Sequence, residues 1–434
     1  MMIKQLITAA ALVLTGSTAT AGEQPMTVKQ LFTLVENNIN LTAARTGVEA
    51  ASAGIEAARA AWLPDVNAKL SLSYNGNGLL MSREFDEAQW VHIPHLGNSL
   101  TLEVQQVIYS GGAIPAGIKL AELGKSQAET ATQLTREQQR FLALGQYLNI
   151  LKLNNGIKVY EQNIALTERL IADITLKYEQ GMVLRNDITR YELQLENLKL
   201  GLTRLIDKRS ILNHQLCNAL NLPDGTQVVP DASLTHLQPA GHSQDEWQLL
   251  ASTTSPVMQQ QEIGVKMAEQ RERLARSEMR PKVAFFAADN FNGPITFEIP
   301  PINKNINVWY LGVGVTYNIG ALYKSNKKVK QAQLNTRQTM ERKDVAAQNL
   351  NNSVQAAYTQ LQQNYVELAT QQKSVQLAQQ NYDVVNERYL NQMALITDMV
   401  DASNIKLNAE LQEVDARINI LLAHYKMQYL AGTL

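Results

Sequence analysis

Few side chains in this 434-residue sequence stand where chemistry would need them. Asp398 and Asp401 lie three residues apart just past a reversal at 391–395, so on a helix they share a face. Two kinds of work suit such a pair. A carboxylate in the first turn of a helix satisfies free N–H groups and complements the macrodipole. Repeated around a symmetry axis, the same pair becomes stacked acidic rings that attract cations and raise one another's pKa. His92 and His95 form an H-x-x-H interrupted by Pro94, without the helical context of a metal site, and read as a solvent loop. Cys217, amid Leu212, Leu216 and Leu220, reads as a small core residue. The sequence contains no G-x-S-x-G, P-loop, G-x-G-x-x-G, H-E-x-x-H or cysteine cluster. It therefore implies no enzyme, no cofactor and no metal centre.

The acidic pair belongs to a hairpin of two long helices over 327–430. Along its first arm Val354, Tyr358, Leu361, Tyr365, Leu368, Val375, Tyr382 and Tyr389 step by alternating fours and threes, with Gln372, Gln379 and Asn386 between them. That is a heptad seam, the pattern of supercoiling helices. No glycine or proline interrupts the chain between Gly320 and Gly432. At about 1.5 Å per residue the arm from Lys324 to Tyr389 reaches on the order of 100 Å. Such an element spans a distance.

A formal net charge of −1 leaves no basis for a nucleic-acid partner. At the N-terminus Lys4 precedes an apolar run over 6–14 and an Ala-x-Ala site at Ala19 and Ala21, which reads as a secretory signal over 1–21 cleaved before Gly22. The residue after the expected cleavage site is Gly22 rather than cysteine, so a lipid-anchored N-terminus is not expected. Beyond the signal no apolar run reaches the 18 residues of a membrane-spanning helix. Any membrane crossing must then use β-strands.

Strands are visible as changes of period. After a helix ending at Leu63 and Pro64, Val66, Ala68, Leu70, Leu72 and Tyr74 alternate with Asn67, Lys69, Ser71, Ser73 and Asn75. A loop over 76–98 leads to a second strand that ends at Tyr109-Ser110-Gly111-Gly112. A helical hairpin over about 115–220 follows, turning at 181–183. The programme then repeats: a helix ending at Arg280 and Pro281, a strand in Val283, Phe285 and Ala287, and a strand over 309–318 closing at Gly320. The two hairpin tips share Tyr178 and Tyr389, Met182 and Met393, Leu184 and Leu395, and Asp187 and Asp398 at one offset. The chain divides into a first repeat (22–222), an equatorial connector (223–245) and a second repeat (246–434). Gly181 suits a turn that its counterpart Gln392 does not require, so different backbones are expected at the two tips.

Four strands cannot close a membrane barrel, and an open sheet edge is forbidden in lipid. Copies must share a barrel, three giving twelve strands, although two or four satisfy the same rule. The order helix–strand–strand–long hairpin, twice, with the proline stops, the Tyr-x-Gly-Gly turn and the Tyr389 to Asp401 tip, resembles the TolC family of outer-membrane efflux proteins over nearly the whole mature chain. The resemblance implies a mainly α chain with membrane β-strands, assembled as a homotrimer. Its twelve-stranded barrel in the outer membrane would continue as an α-helical coiled-coil tunnel into the periplasm. It implies a periplasmic adaptor, an inner-membrane transporter and outer-membrane lipid as partners. Asp398 and Asp401 then match the acidic ring at the closed entrance. The family's latch arginine falls level with Ala394, so Arg185, Arg190 or Arg388 would have to pair with Asp187, Asp398 or Asp401, with Tyr178 and Tyr389 as packing or hydroxyl contacts. The competing reading is a periplasmic coiled-coil adaptor or scaffold with no membrane barrel.

Overall fold

The computed structural model describes residues 22–236, 241–391 and 393–434; the signal segment 1–21, part of the connector and Gln392 lie outside them. In chain order the elements are β1 (Glu23–Met26), α1 (Val28–Val35), α2 (Ile39–Ala60), β2 (Asp65–Tyr74), β3 (Gly78–Leu80), β4 (Gln89–Val91) and β5 (Leu96–Tyr109). The first long hairpin, α3 (Ala113–Glu179) and α4 (Arg185–Leu220), leads to β6 (Gln227–Pro230) and a 3-10 turn (Ala232–His236). Then come α5 (Gln244–Thr254), α6 (Pro256–Ser277), β7 (Lys282–Gly293), β8 (Ile306–Thr316) and the second hairpin, α7 (Ala321–Leu390) and α8 (Ile396–Ala431).

Two compact units share these elements. One takes residues through Thr42, Thr135–Ser255 and Leu350–Leu434; the other takes Ala43–Leu134 and Pro256–Asn349. The second unit holds an antiparallel sheet in the order β2-β5-β7-β8. Val66 pairs with Val104, Val104 with Ala287, and Ala287 with Leu311. Because strand side chains alternate, this register gathers Val66, Leu70, Leu72, Leu100, Leu102, Phe285, Trp309, Leu311, Val313 and Val315 on one face. The other face carries Asn67, Lys69, Ser71, Thr101, Glu103 and Asn290. There Phe286 lies over Gly312 and Gly314, where a Cβ on Gly312 would stand 2.9 Å from the ring. Outer strands β2 and β8 have no partner beyond them among the described residues.

The first unit is centred on a core of Leu31, Leu41, Leu144, Leu148, Leu216 and Tyr147. Cys217 is buried in it, with its thiol 3.3 Å from the Thr226 carbonyl. The Tyr147 hydroxyl, fully enclosed, donates to the Met26 carbonyl (2.6 Å) and accepts from the Asp231 amide (2.8 Å). It ties β1 to the turn after β6, two bonds worth together on the order of 2 kcal/mol. Asn213 closes the other edge of β6, donating to Thr226 (2.7 Å) and accepting from Val228 (2.8 Å).

Several sequence expectations need adjustment. The loop over 76–98 contains the short antiparallel pair β3 and β4. His95 stacks on Tyr74 with its Nδ1 2.9 Å from the Asn75 carbonyl, which pins the loop to the end of β2. Strand β7 runs six residues past the expected Ala287. The seam of α7 keeps Val354, Leu361, Tyr382 and Tyr389 buried, but its alternate positions are Asn364 (4 % exposed) and Ala378 (4 %). Tyr365 is 37 % exposed. Asn364 belongs inside because its amide donates to the Asn419 carbonyl of α8 (2.9 Å), and small Ala378 permits close approach of the helices.

Candidate functional site: the paired hairpin tips

Both hairpin ends lie in the first unit and share one cluster: Leu170 and Ile174 from α3, Ile188 and Tyr191 from α4, Tyr382 and Tyr389 from α7, and Ile396, Met399 and Ala402 from α8. Val183 and Ala394, from the two reversals, pack half-buried against it. Ala394, the position at which the resemblance placed a latch arginine, is a small side chain packed against this core.

The tips are built alike. At the first, Met182 N–H bonds Lys177 C=O (2.9 Å); at the second, Met393 N–H bonds Arg388 C=O (2.7 Å). Each is the six-to-one bond that ends a helix in a tight reversal. Asp187 then accepts from the Leu184 amide (3.1 Å) and Asp398 from the Leu395 amide (3.0 Å), half of a capping box in each helix. Gly181 takes φ +75°, while its counterpart Gln392, on which the expected difference in backbone turns, lies outside the described residues.

Asp398 is thus a cap, exposed at its outer side; Asp401, also exposed, makes no hydrogen bond or ion pair among the described residues. Within the chain none of Arg185, Arg190 and Arg388 pairs with Asp187, Asp398 or Asp401, so the substitute latch is not formed there. All three arginines are exposed, while Asp187 and Asp398 are engaged by their own helix ends. Tyr178 is 41 % exposed. Tyr389, only 7 % exposed, has an enclosed hydroxyl with no hydrogen-bond partner among the described residues and serves as packing.

Side chains that sequence reading passed over make further contacts at the tips, Lys177 and Gln194 between the hairpins and Lys406 within the second. Lys177 reaches the Leu390 carbonyl at the end of α7 (3.3 Å) and lies 5.9 Å from the Tyr389 ring centroid. Lys406 lies 4.8 Å from the centre of Tyr382. Gln194 donates to Asn404 (2.6 Å). Lys177 falls in the last turn of α3, where a basic residue suits the helix dipole, the one signal that marks it.

Burial, with Asp187 adding to it, pushes the Tyr389 phenol up to about 12. Burial and Asp383 push Tyr382 up to about 12. A raised folded-state value means stability that is complete below pH 10 and is lost as pH rises toward 12. Tyr389→Phe removes an enclosed, unpaired hydroxyl, so it should raise stability by about 1 kcal/mol. Denaturant titrations at pH 8 and pH 11 should show the variant losing less at high pH than the parent.

A sheet with one apolar exposed face and two open edges, joined to paired long hairpins, is the build of an outer-membrane channel subunit, not of an enzyme. The chain belongs to the outer membrane efflux protein family, whose model matches residues 33–220 and 249–433. It is similar to the outer membrane efflux protein BepC of Brucella suis biovar 1, with 20 % identity over 99 % of this chain and 90 % of that one. Its fold is TolC-like. It matches the CusC channel with a TM-score of 0.78 at 16 % identity, covering 93 % of this chain and 91 % of that one. It matches VceC of Vibrio cholerae at 0.76 and 13 %, covering 93 % and 96 %.

Proposed function

We propose that the protein is the exit duct of a tripartite efflux or type I secretion system, passing substrates from an inner-membrane transporter and its periplasmic adaptor to the exterior. The sheet β2-β5-β7-β8 carries the reading: apolar on one face and open at both edges. Leu72 is 79 % exposed, Leu70 70 % and Trp309 70 %, a face that lipid would cover. Lipid offers no partner to open-edge N–H and C=O groups, so neighbouring copies supply the missing strands. Three copies give twelve. The repeats 22–222 and 246–434, joined by 223–245, then contribute two hairpins per copy to a common tunnel. The same exposed face argues against a periplasmic adaptor, which would fold its strands into a closed soluble core.

At the tips, three copies of Asp398 and Asp401 place six carboxylates around the entrance as a gate that attracts cations. The partners proposed for Arg185, Arg190 and Arg388 are carboxylates of a neighbouring copy, since none forms an ion pair among the described residues. Met182 (53 % exposed), Leu184 (73 %), Met393 (62 %) and Leu395 (70 %) form the apolar end offered to the adaptor. Native mass spectrometry of the detergent-extracted protein should find three chains per particle. A particle of one chain would remove the shared barrel, and one of two or four would remove the twelve-stranded form.

A further inference from the structure

A cavity of about 440 Å³ opens where β5 passes into α3 and α6 passes into β7. Its polar lining is Lys119, Gln270, Arg273, Arg276 and Arg280, with no carboxylate. Lys119 and Arg276 are balanced from outside it, by Glu122 (3.0 Å) and Glu272 (2.6 Å). Arg273 and Arg280 have no ion pair among the described residues; Arg280 makes only a long bond to the Gly111 carbonyl (3.4 Å). Gln270 is 8 % exposed, yet its amide forms no hydrogen bond among the described residues. Its polar atoms are not among the enclosed side-chain atoms that lack a partner, so the amide opens onto the cavity and is free to donate into it. Two glycines, Gly111 and Gly112, stand at its rim. Gly112, at φ +94°, lies where a Cβ would sit 3.6 Å from the Arg280 guanidinium. The first amides of α3 are already bonded, Ile114 to the Ser110 hydroxyl (3.0 Å) and Ala113 to the Ser110 carbonyl (3.2 Å), so side chains do the recognising.

The position of the cavity indicates what it recognises. Exposed aromatics ring this end of the strands: Trp62 (39 %), Tyr109 (42 %), Tyr317 (42 %) and Tyr323 (68 %). Such residues settle at the level of lipid headgroups. Gly111 follows Tyr109 by two residues, and Arg280 precedes β7 by two, which puts the basic lining at the helical side of that belt. We propose that this cavity binds the phosphodiester of an anionic glycerophospholipid in the periplasmic leaflet, held by Arg273 and Arg280 with Gln270 donating beside them. Planar guanidinium groups match phosphate oxygens in pairs, and basic pockets at the membrane boundary select anionic headgroups. A zwitterionic headgroup would bring its ammonium or choline against two uncompensated arginines. The inference rests on the reading that the strands cross the outer membrane.

The test uses the full chain, stripped of lipid in detergent and titrated calorimetrically with dihexanoyl phosphatidylglycerol, dihexanoyl phosphatidylcholine and glycerol phosphate. Phosphatidylglycerol should bind best. Arg273→Gln with Arg280→Gln should weaken it roughly tenfold or more, as loss of two charge-assisted contacts does. Arg342→Gln with Lys373→Gln, which removes the same charge from residues that do not line the cavity, should leave it unchanged. Arg273→Gln alone breaks no ion pair, so folding is spared, and it should still cost roughly threefold. Equal binding of phosphatidylcholine, or full affinity in the double variant, overturns the site. Glycerol phosphate binding as tightly as the lipid overturns the lipid source. A trimer without lipid preference refutes the site and leaves the duct standing; a monomer that keeps the preference does the reverse.

Discussion

Leu311→Arg is expected to cost about 2–4 kcal/mol, while Ser71→Arg should be tolerated within about 1 kcal/mol. The two positions lie in one sheet and differ chiefly in the face they occupy. Leu311 is at the middle of β8, 63 % exposed, in a row with Val313, Val315 and Trp309. Ser71 is on the opposite face, paired with Ser99 and next to Lys69 and Ser73. In lipid a guanidinium at Leu311 must either shed its water or draw water into the hydrocarbon, whereas one at Ser71 stays hydrated in the lumen. Chaotrope unfolding in vesicles, followed by tryptophan fluorescence, gives both values. Equal costs would mean that lipid does not cover the Leu311 face.

Asp398→Asn combined with Asp401→Asn should weaken block of the channel current by divalent cations about tenfold, since neighbouring carboxylates interact by more than 1 kcal/mol even near a surface. Asparagine is the informative replacement. Its side-chain oxygen can still accept from the Leu395 amide, as Asp398 does at 3.0 Å, so the helix start is kept while the charge goes. Asp401 has no such bond to lose. Single-channel recording in planar bilayers with added magnesium reads the effect directly. Block that survives the double change would leave Asp398 a cap and nothing more.

The parts of the molecule legible in the sequence are those where periodicity follows environment. Residues 66–74 and 309–315 alternate because one face meets an apolar phase and the other water, and both stretches are strands. The end of β7 was hidden because Asp289, in register with Leu102 and Trp309 on the apolar face, interrupts its alternation. The seam of α7 was half legible. Val354, Leu361, Tyr382 and Tyr389 repeat every seventh residue as read, but choosing the larger neighbour at the alternate positions selected Tyr365 over Asn364. Burial there follows a hydrogen bond to Asn419 from a distant helix, which no local pattern records. The tips divide similarly: Asp187 and Asp398 were found by spacing, whereas the reach of Lys177 to Leu390 depends on two hairpins meeting. The capping box at α1, in which Thr27 and Gln30 exchange bonds of 2.8 and 3.3 Å, was present in the sequence as T-x-x-Q.

The boundaries of the two compact units bear on how such a chain can have arisen. Neither unit coincides with one repeat: each draws segments from before and after the connector, and α3 and α7 belong to both units. A single ancestral copy would have supplied half of the strands in the sheet and half of the helices around the tip cluster. It would have reached a complete core only beside a second molecule of itself. Carrying both copies in one chain makes that pairing intramolecular, so it no longer depends on concentration. The two copies need not then be alike, and at the tips they are not: Gly181 stands against Gln392, and Val183 against Ala394.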